Sequence, residues 1–286
     1  MQEDGITAHY GSDDLVTKIF NALVKAGKDT NNLELKDLSV IDQLHTGGHL
    51  ATIELAKRVS ISKGDKVLDA GCGIGGTSRI LAKEFGCEVT ALDLTPQFID
   101  AAKELTLATK LTSNISFICK DITNTALLDN YFDCIWCQHT LMNIKDKAAA
   151  FSEFKRVLKP GGFLVLHEIV KGDDLSRCDD KKEEIHLPVP WASCPEISFL
   201  ISLEEMEQTA SKNGFISTFI EDRTQNAKSW WQKVKSVSLK NINSPPPPLG
   251  AHIIFGDNGR LFGNTMTQNL DEGRIKMVEA LYVAQK

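Results

Sequence analysis

The chain has 286 residues, 42% hydrophobic and 24% charged, proportions that afford a sizeable core and exclude a disordered chain. A net charge of −6 without any Lys/Arg-rich stretch excludes the basic footprint of a nucleic-acid binder. No apolar run approaches the ~20 residues that a membrane-spanning helix needs.

Met1-Gln-Glu-Asp-Gly5 lacks the basic and apolar pattern of a signal peptide. Ser12 or Asp13 can cap a helix in which Leu15, Val16, Ile19, Phe20 and Leu23 recur at helical spacing. A polar, glycine-bearing turn, Asp42-Gln-Leu-His45-Thr46-Gly-Gly48, leads into a second helix to about Val59. From Lys66 strands and helices alternate. Strands are expected at 66–70, 88–92, 115–119, 132–136 and 163–169, with helices over 77–85, 96–108 and 145–158 between them. Pro96 opens one helix, and Pro160-Gly161-Gly162 stops another. This rhythm predicts an α/β fold with a parallel sheet and helices on both faces. Residues 171–200 break it, first charged (Asp173, Asp174, 179–184), then proline-rich and aromatic (Leu187-Pro-Val-Pro-Trp191). A helix at 203–213, a strand at 215–221, a helix at 229–239, a stiff Pro245–Pro248 hinge and a terminal strand from Arg274 to Ala284 complete the chain.

There are seven cysteines, an odd number at scattered spacing that predicts reduced thiols and a cytoplasmic protein. Cys134 and Cys137 form a C-x-x-C on a strand, where positions i and i+3 point to opposite faces. They read as two buried hydrophobes, not metal ligands, and no other cluster has metal spacing.

Val67-Leu-Asp69-Ala-Gly71-Cys72-Gly73-Ile-Gly75-Gly76 follows a strand and opens a helix. Its glycines permit a tight bend and close approach of the backbone to a ligand. A G-x-G-x-x-G alone suits a dinucleotide equally well. However, Asp69 just before the bend would repel a pyrophosphate and attract an ammonium. Asp93, ending the second strand, can accept from two ribose hydroxyls. Asp121, after the third strand, can accept from an adenine amino group.

The ordered series Val67 to Leu81, Ala91-Leu-Asp93-Leu-Thr-Pro96, Asp121-Ile122, Phe132-Asp133 and Leu158-Lys-Pro-Gly-Gly-Phe163 resembles the class I S-adenosylmethionine-dependent methyltransferases over roughly residues 40–170. The His45-Thr46-Gly-Gly turn and the long 171–273 region resemble the small-molecule branch: sarcosine/dimethylglycine, tocopherol and ubiquinone-type enzymes. The resemblance implies a Rossmann-like seven-stranded sheet with an antiparallel last strand. It divides the chain into an N-terminal helical cap (1–60), a cofactor-binding core (61–170), substrate-covering insertions (171–273) around a core strand near 215–221, and a final strand (274–286). It also implies that Asp69, Gly71, Cys72, Gly73 and Gly75 hold the methionine end of S-adenosylmethionine, Asp93 the ribose, and Leu94, Asp121 and Ile122 the adenine. Gln138 and His139 would lie near the methyl group, and Gln43 and Thr46 would close over the carboxylate.

Other readings of these residues stay open. His139 could be a general base, a substrate contact or a loop residue with its polar atoms satisfied. Glu168 could touch substrate or pair with a cation. His45, His186 and Trp191 could line the acceptor pocket or fill core, and Trp230-Trp231 reads first as helix packing. The expected activity is methyl transfer to a small molecule, nitrogen or oxygen before the carbon of a quinone- or isoprenoid-like compound. An NAD-dependent oxidoreductase or a non-catalytic binding module are the remote rivals. The insertion offers a surface for a homodimer.

Overall fold

The computed structural model describes residues 14–172, 185–240 and 245–286. The expected caps Ser12 and Asp13 and the acidic stretch 173–184 lie outside the described residues.

Seven strands form one sheet: β1 (Lys66–Ala70), β2 (Glu88–Asp93), β3 (Ile115–Cys119), β4 (Phe132–Gln138), β5 (Leu158–Lys171), β6 (Phe215–Asp222) and β7 (Ile275–Ala284). Their order is β3-β2-β1-β4-β5-β7-β6. The first five are parallel, and β7 runs antiparallel to both its neighbours. This is the expected Rossmann-like arrangement. The strand order reverses between β1 and β4, so the connections leave to opposite sides and open a crevice at the carboxyl ends of those strands.

Helices α1 (Leu15–Lys25), α2 (Gly48–Arg58), α3 (Gly76–Phe85), α4 (Pro96–Ala108), α5 (Lys147–Val157), α6 (Leu203–Lys212), α7 (Thr224–Lys240) and α8 (Phe262–Asp271) surround the sheet. Central strands are buried on both faces, which is why they read as nearly continuous apolar runs. One core, with Leu68, Ile135, Phe151 and Phe154, contains Cys137. The other, with Val67, Leu81 and Trp136, contains Cys134, so the two thiols face opposite sides as their spacing requires. Two elements differ from the sequence reading. β5 begins at Leu158, directly after α5, because Leu158 pairs with Phe132 across a register shift and Gly161 takes a φ of 80° within the strand. α7 starts five residues early, at Thr224, where Asp222 accepts from the Thr224 amide.

The segment between α1 and α2 is pinned to the core by a buried ion pair. Arg79 on α3 is fully buried and donates to Asp42 Oδ2 (2.9 Å), the Ile74 carbonyl (2.9 Å) and Thr106 Oγ1 (3.2 Å). Removing one member of such a pair strands the other charge. Arg79→Ala should therefore lower unfolding stability by about 3–5 kcal/mol, measured by urea denaturation; a loss below about 1 kcal/mol, the worth of a surface pair, would refute this.

Candidate active site

The crevice at the β1/β4 carboxyl edge is a cleft lined by residues from both halves of the strand reversal. Asp69 stands at the end of β1. Gly71, Gly73 and Gly75 follow with φ of 82°, 54° and 80°, a left-handed backbone that favours glycine. A Cβ on Gly71 would lie 2.2 Å from Thr140 Oγ1, so the bend also needs glycine for space. The Gly71 and Cys72 amides donate to the Leu92 carbonyl, tying the bend over the end of β2. Asp93 clamps two loops at once. One carboxylate oxygen accepts from the Gly73 amide and the other from the Thr95 amide, both at 2.9 Å. Each oxygen keeps a lone pair for a second donor.

Burial pushes the Asp69 carboxyl up to about 7, against the hydroxyl of Ser78, which donates to it at 2.5 Å. Asp93 is also raised by burial, despite its amide partners. Two partly desolvated acids on either side of a glycine bend favour a cationic or hydroxyl-rich ligand.

Gln138, at the end of β4, organises the adjoining wall. Trp136 Nε1 can only donate, and it lies 3.0 Å from Gln138 Oε1, which fixes which way the amide points. Thr52 and Thr77 hydroxyls approach the same oxygen at 3.2 Å. The amide nitrogen must then donate, and it faces His45 Nδ1 at 3.0 Å and His167 Nδ1 at 2.7 Å. His167 consequently accepts at Nδ1 and carries its proton on Nε2. His45 Nδ1 faces both this amide and, at 3.2 Å, the Thr46 carbonyl, which can only accept, and its Nε2 lies 3.0 Å from Gln43 Oε1. His45, His139 and His167 lie with ring centroids 5.1–6.1 Å apart. Desolvation lowers His45 to about 4 and pulls His139 and His167 well below the ordinary histidine range. All three are neutral at physiological pH.

His139 is held in a left-handed conformation (φ 52°), with its amide donating to the His167 carbonyl at 2.9 Å. Its buried Nε2 has no hydrogen-bond partner among the described residues. An unmatched buried polar atom is costly, and His139 lines both the cleft and a second cavity. That cavity measures about 770 Å³ and is walled mainly by apolar residues of α7, α8 and the 245–262 segment. His139, His45, Leu44, Pro190 and Phe255 belong to both walls.

Of the residues expected at the site, Asp69, Gly71, Cys72, Gly73, Asp93, Leu94, Asp121, Ile122, Gln138, His139, His45 and Trp191 line the cleft. Gln43 and Thr46 line the larger cavity instead, with Thr46 accepting from Trp231 Nε1 at 3.1 Å. Gly75 lies behind the wall as the left-handed residue before α3. Glu168 is buried beneath the loop after β4, where Oε1 accepts from the Thr140 and Leu141 amides at 2.9 and 3.0 Å. His186 pairs with Glu272 at 2.7 Å, away from both cavities. Thr52, Thr77 and Trp136, the donors that orient Gln138, carry no local sequence signal, because their roles arise from three separate elements. Among the described residues no cluster could hold a metal ion, and no helix is long and apolar enough to cross a membrane.

With this geometry in view, residues 68–166 match the family described as a methyltransferase domain. The chain thus carries a methyltransferase domain with the class I fold. More particularly, it is similar to enzymes of small molecules. It is 31% identical over 196 residues to phosphoethanolamine N-methyltransferase 1 of Zea mays, covering 68% of this chain and 37% of that one. It is 34% identical over 174 residues to the 2-methyl-6-phytyl-1,4-hydroquinone methyltransferase of Synechocystis, covering 60% and 49%. The chain therefore spans half or less of these relatives. A proposed sarcosine dimethylglycine methyltransferase of Galdieria sulphuraria shares the fold at TM-score 0.69 and 20% identity, over 96% of this chain and 99% of that one.

Two measurements test the electrostatics. Imidazole ¹⁵N spectra should show His45 and His167 neutral throughout pH ~5.5–8, a range that spans the usual titration of histidine near 6.5, with His167 as the Nε2–H tautomer; an Nδ1–H signal from His167 would contradict the Gln138 orientation. Burial holds the Glu168 carboxyl up to about 7, well above the ordinary glutamate range. A raised carboxyl favours folding below its unfolded pKa and loses that contribution as pH rises through the folded pKa. Glu168→Gln keeps the amide-accepting oxygen and removes this loss. Its Tm should exceed the parent's at pH 8 and converge towards it near pH 4; a pH-independent offset would exclude the linkage.

Proposed function

We propose that the chain is an S-adenosylmethionine-dependent methyltransferase of a small-molecule acceptor, with a nitrogen or oxygen nucleophile favoured. The observation that carries this reading is the position of His139. His139, whose buried Nε2 has no hydrogen-bond partner among the described residues, lines both the acid-flanked glycine cleft and the separate, mainly apolar cavity. A donor in one and an acceptor in the other would meet at that junction.

The residues of the cleft fit the cofactor. Asp93 offers two carboxylate oxygens, already oriented by amides, to a ribose diol. Asp69 offers a raised carboxyl to an ammonium, whose positive charge would favour its ionised form. The bend at Gly71 lets the backbone lie close to the ligand. When bound, S-adenosylmethionine supplies a methyl group made electrophilic by its sulfonium. The protein's part is alignment and exclusion of water. Trp191 and Phe255 close the cleft from the side of the insertions. Neutral His139 can take a proton at Nε2 from an acceptor N–H or O–H as the nucleophile attacks. Neutral His45 and His167 add no positive charge beside the sulfonium. Asp69 beside the bend disfavours a dinucleotide diphosphate. The apolar second cavity favours, as a second reading, carbon methylation of a quinone- or isoprenoid-like body. Cytoplasmic residence belongs to the same proposal and is supported by the free thiols of the described cysteines.

Isothermal titration should detect S-adenosylmethionine and S-adenosylhomocysteine. Asp93→Ala should weaken both by about 100-fold or more, since two charge-assisted hydrogen bonds are lost. NAD binding without adenosylhomocysteine binding would overturn the reading. Once methyl transfer from labelled cofactor to a metabolite pool is established, His139→Ala should lower turnover by about 10²–10⁴-fold and leave adenosylhomocysteine affinity within about threefold. A complete absence of methylated product would favour a non-catalytic binding module.

A further inference from the structure

The proposed activity leaves the acceptor open, and the second cavity bears on it. Its walls contain no Asp or Glu side chain among the described residues. A cationic amine entering it would meet apolar side chains, neutral imidazoles and a few neutral hydroxyl and amide residues, with no carboxylate to offset its charge. The charged side chains that do line it, Lys233 and Arg260, are cationic and exposed at its rim. A volume of about 770 Å³ equals some twenty-five water molecules at about 30 Å³ each, far more than a short amino acid or amino alcohol fills.

The cavity also has a direction. At one end Trp231, Phe262, Met266 and Ile169 are 6%, 3%, 1% and 4% exposed. Here Trp231 bonds to Thr46, beside the His45–His139 junction. Six residues along α7, about 9 Å at 1.5 Å per residue, Val237 lines the other end and is 58% exposed. Val40 and Leu261, 62% and 45% exposed, complete that mouth.

Resting on the methyltransferase reading, we infer that the acceptor is an elongated, uncharged, largely hydrocarbon molecule. Its single nucleophilic head lies under His139, and its tail runs along α7 towards the mouth at Val40, Val237 and Leu261. Burial of the tail supplies affinity. The head group is the one part that needs a polar partner, and His139, whose Nε2 is unpartnered among the described residues, lines this cavity.

Farnesol is a suitable probe because it joins a hydroxyl head to a branched hydrocarbon tail. With the protein saturated with S-adenosylhomocysteine, farnesol should bind in isothermal titration and shift the tryptophan emission, since Trp230 and Trp231 line the cavity. Phosphoethanolamine and dimethylglycine should produce neither effect. Val234→Trp, which narrows the half-buried α7 wall, should weaken farnesol by about tenfold or more and leave adenosylhomocysteine affinity within about twofold. Normal adenosylhomocysteine binding with no farnesol binding, or with preferential binding of either amine, overturns the acceptor class and leaves the methyltransferase reading standing. Failure to bind adenosylhomocysteine strikes that reading instead. The emission shift needs no variant, so a poorly folded Val234→Trp protein still leaves a decisive result.

Discussion

The amide of Gln138 is the point on which the site turns. A glutamine oxygen has two lone pairs, yet an indole and two threonine hydroxyls converge on it. The indole has no alternative role as an acceptor, so it dictates the amide's orientation. The hydroxyls can rotate, and Thr52 also lies 3.2 Å from His45 Nε2. With the oxygen committed, the amide's nitrogen faces two imidazoles and commits that of His167. One tryptophan in the strand core thus determines where His167 carries its proton. The neutrality of both rings follows from burial, and the tautomer of His167 follows from Trp136.

Polar groups at this edge are arranged around a fixed backbone. Asp93 holds the glycine bend to the β2–α4 loop, and Glu168 holds the loop after β4. Amides direct both carboxylate oxygens of Asp93 and one, Oε1, of buried Glu168. Such a site is preorganised, because the dipoles are in place before any ligand arrives. The cost appears as acids displaced upward by desolvation, Asp69 and Glu168 most clearly. A cationic ligand would offset that cost beside Asp69. Glu168 Oε1 accepts from the amides of Thr140 and Leu141, in the turn that follows His139.

The sheet was legible in the sequence because its strands are short apolar runs between glycine and proline turns, and each motif sits where a strand ends. Asp69, Asp93 and Asp121 were legible for the same reason: a carboxylate directly after a parallel strand faces the crevice. Residues whose roles depend on contacts across the fold were not legible. Gln43 and Thr46 share a turn that the resemblance places over a cofactor's carboxylate; in the structure both line the larger cavity, where Trp231, 185 residues away, donates to Thr46. Glu168 looked accessible at the end of β5, yet the loop following β4 folds over it. His186 pairs with Glu272 from the C-terminal end of α8, a partner that no local pattern announces.

The two cavities draw on different parts of the chain, and this separates two kinds of constraint. The cleft is built from β1 to β4 and their following loops, where glycine φ angles and amide–carboxylate contacts leave little freedom. The acceptor cavity takes its long wall from α7 and α8 and from the segment between them, joined to the core mainly by hydrophobic packing of Trp191, Trp231, Phe262 and Met266. Apolar packing tolerates volume-conserving exchange better than a hydrogen-bonded clamp tolerates loss of a partner. Substitutions in α7 and α8 can therefore reshape what enters without disturbing what is held at the glycine bend. His139 belongs to both regions, with its backbone bound to β5 and its side chain's Nε2 unpartnered among the described residues. It is the residue through which any change in the acceptor must still meet the same chemistry.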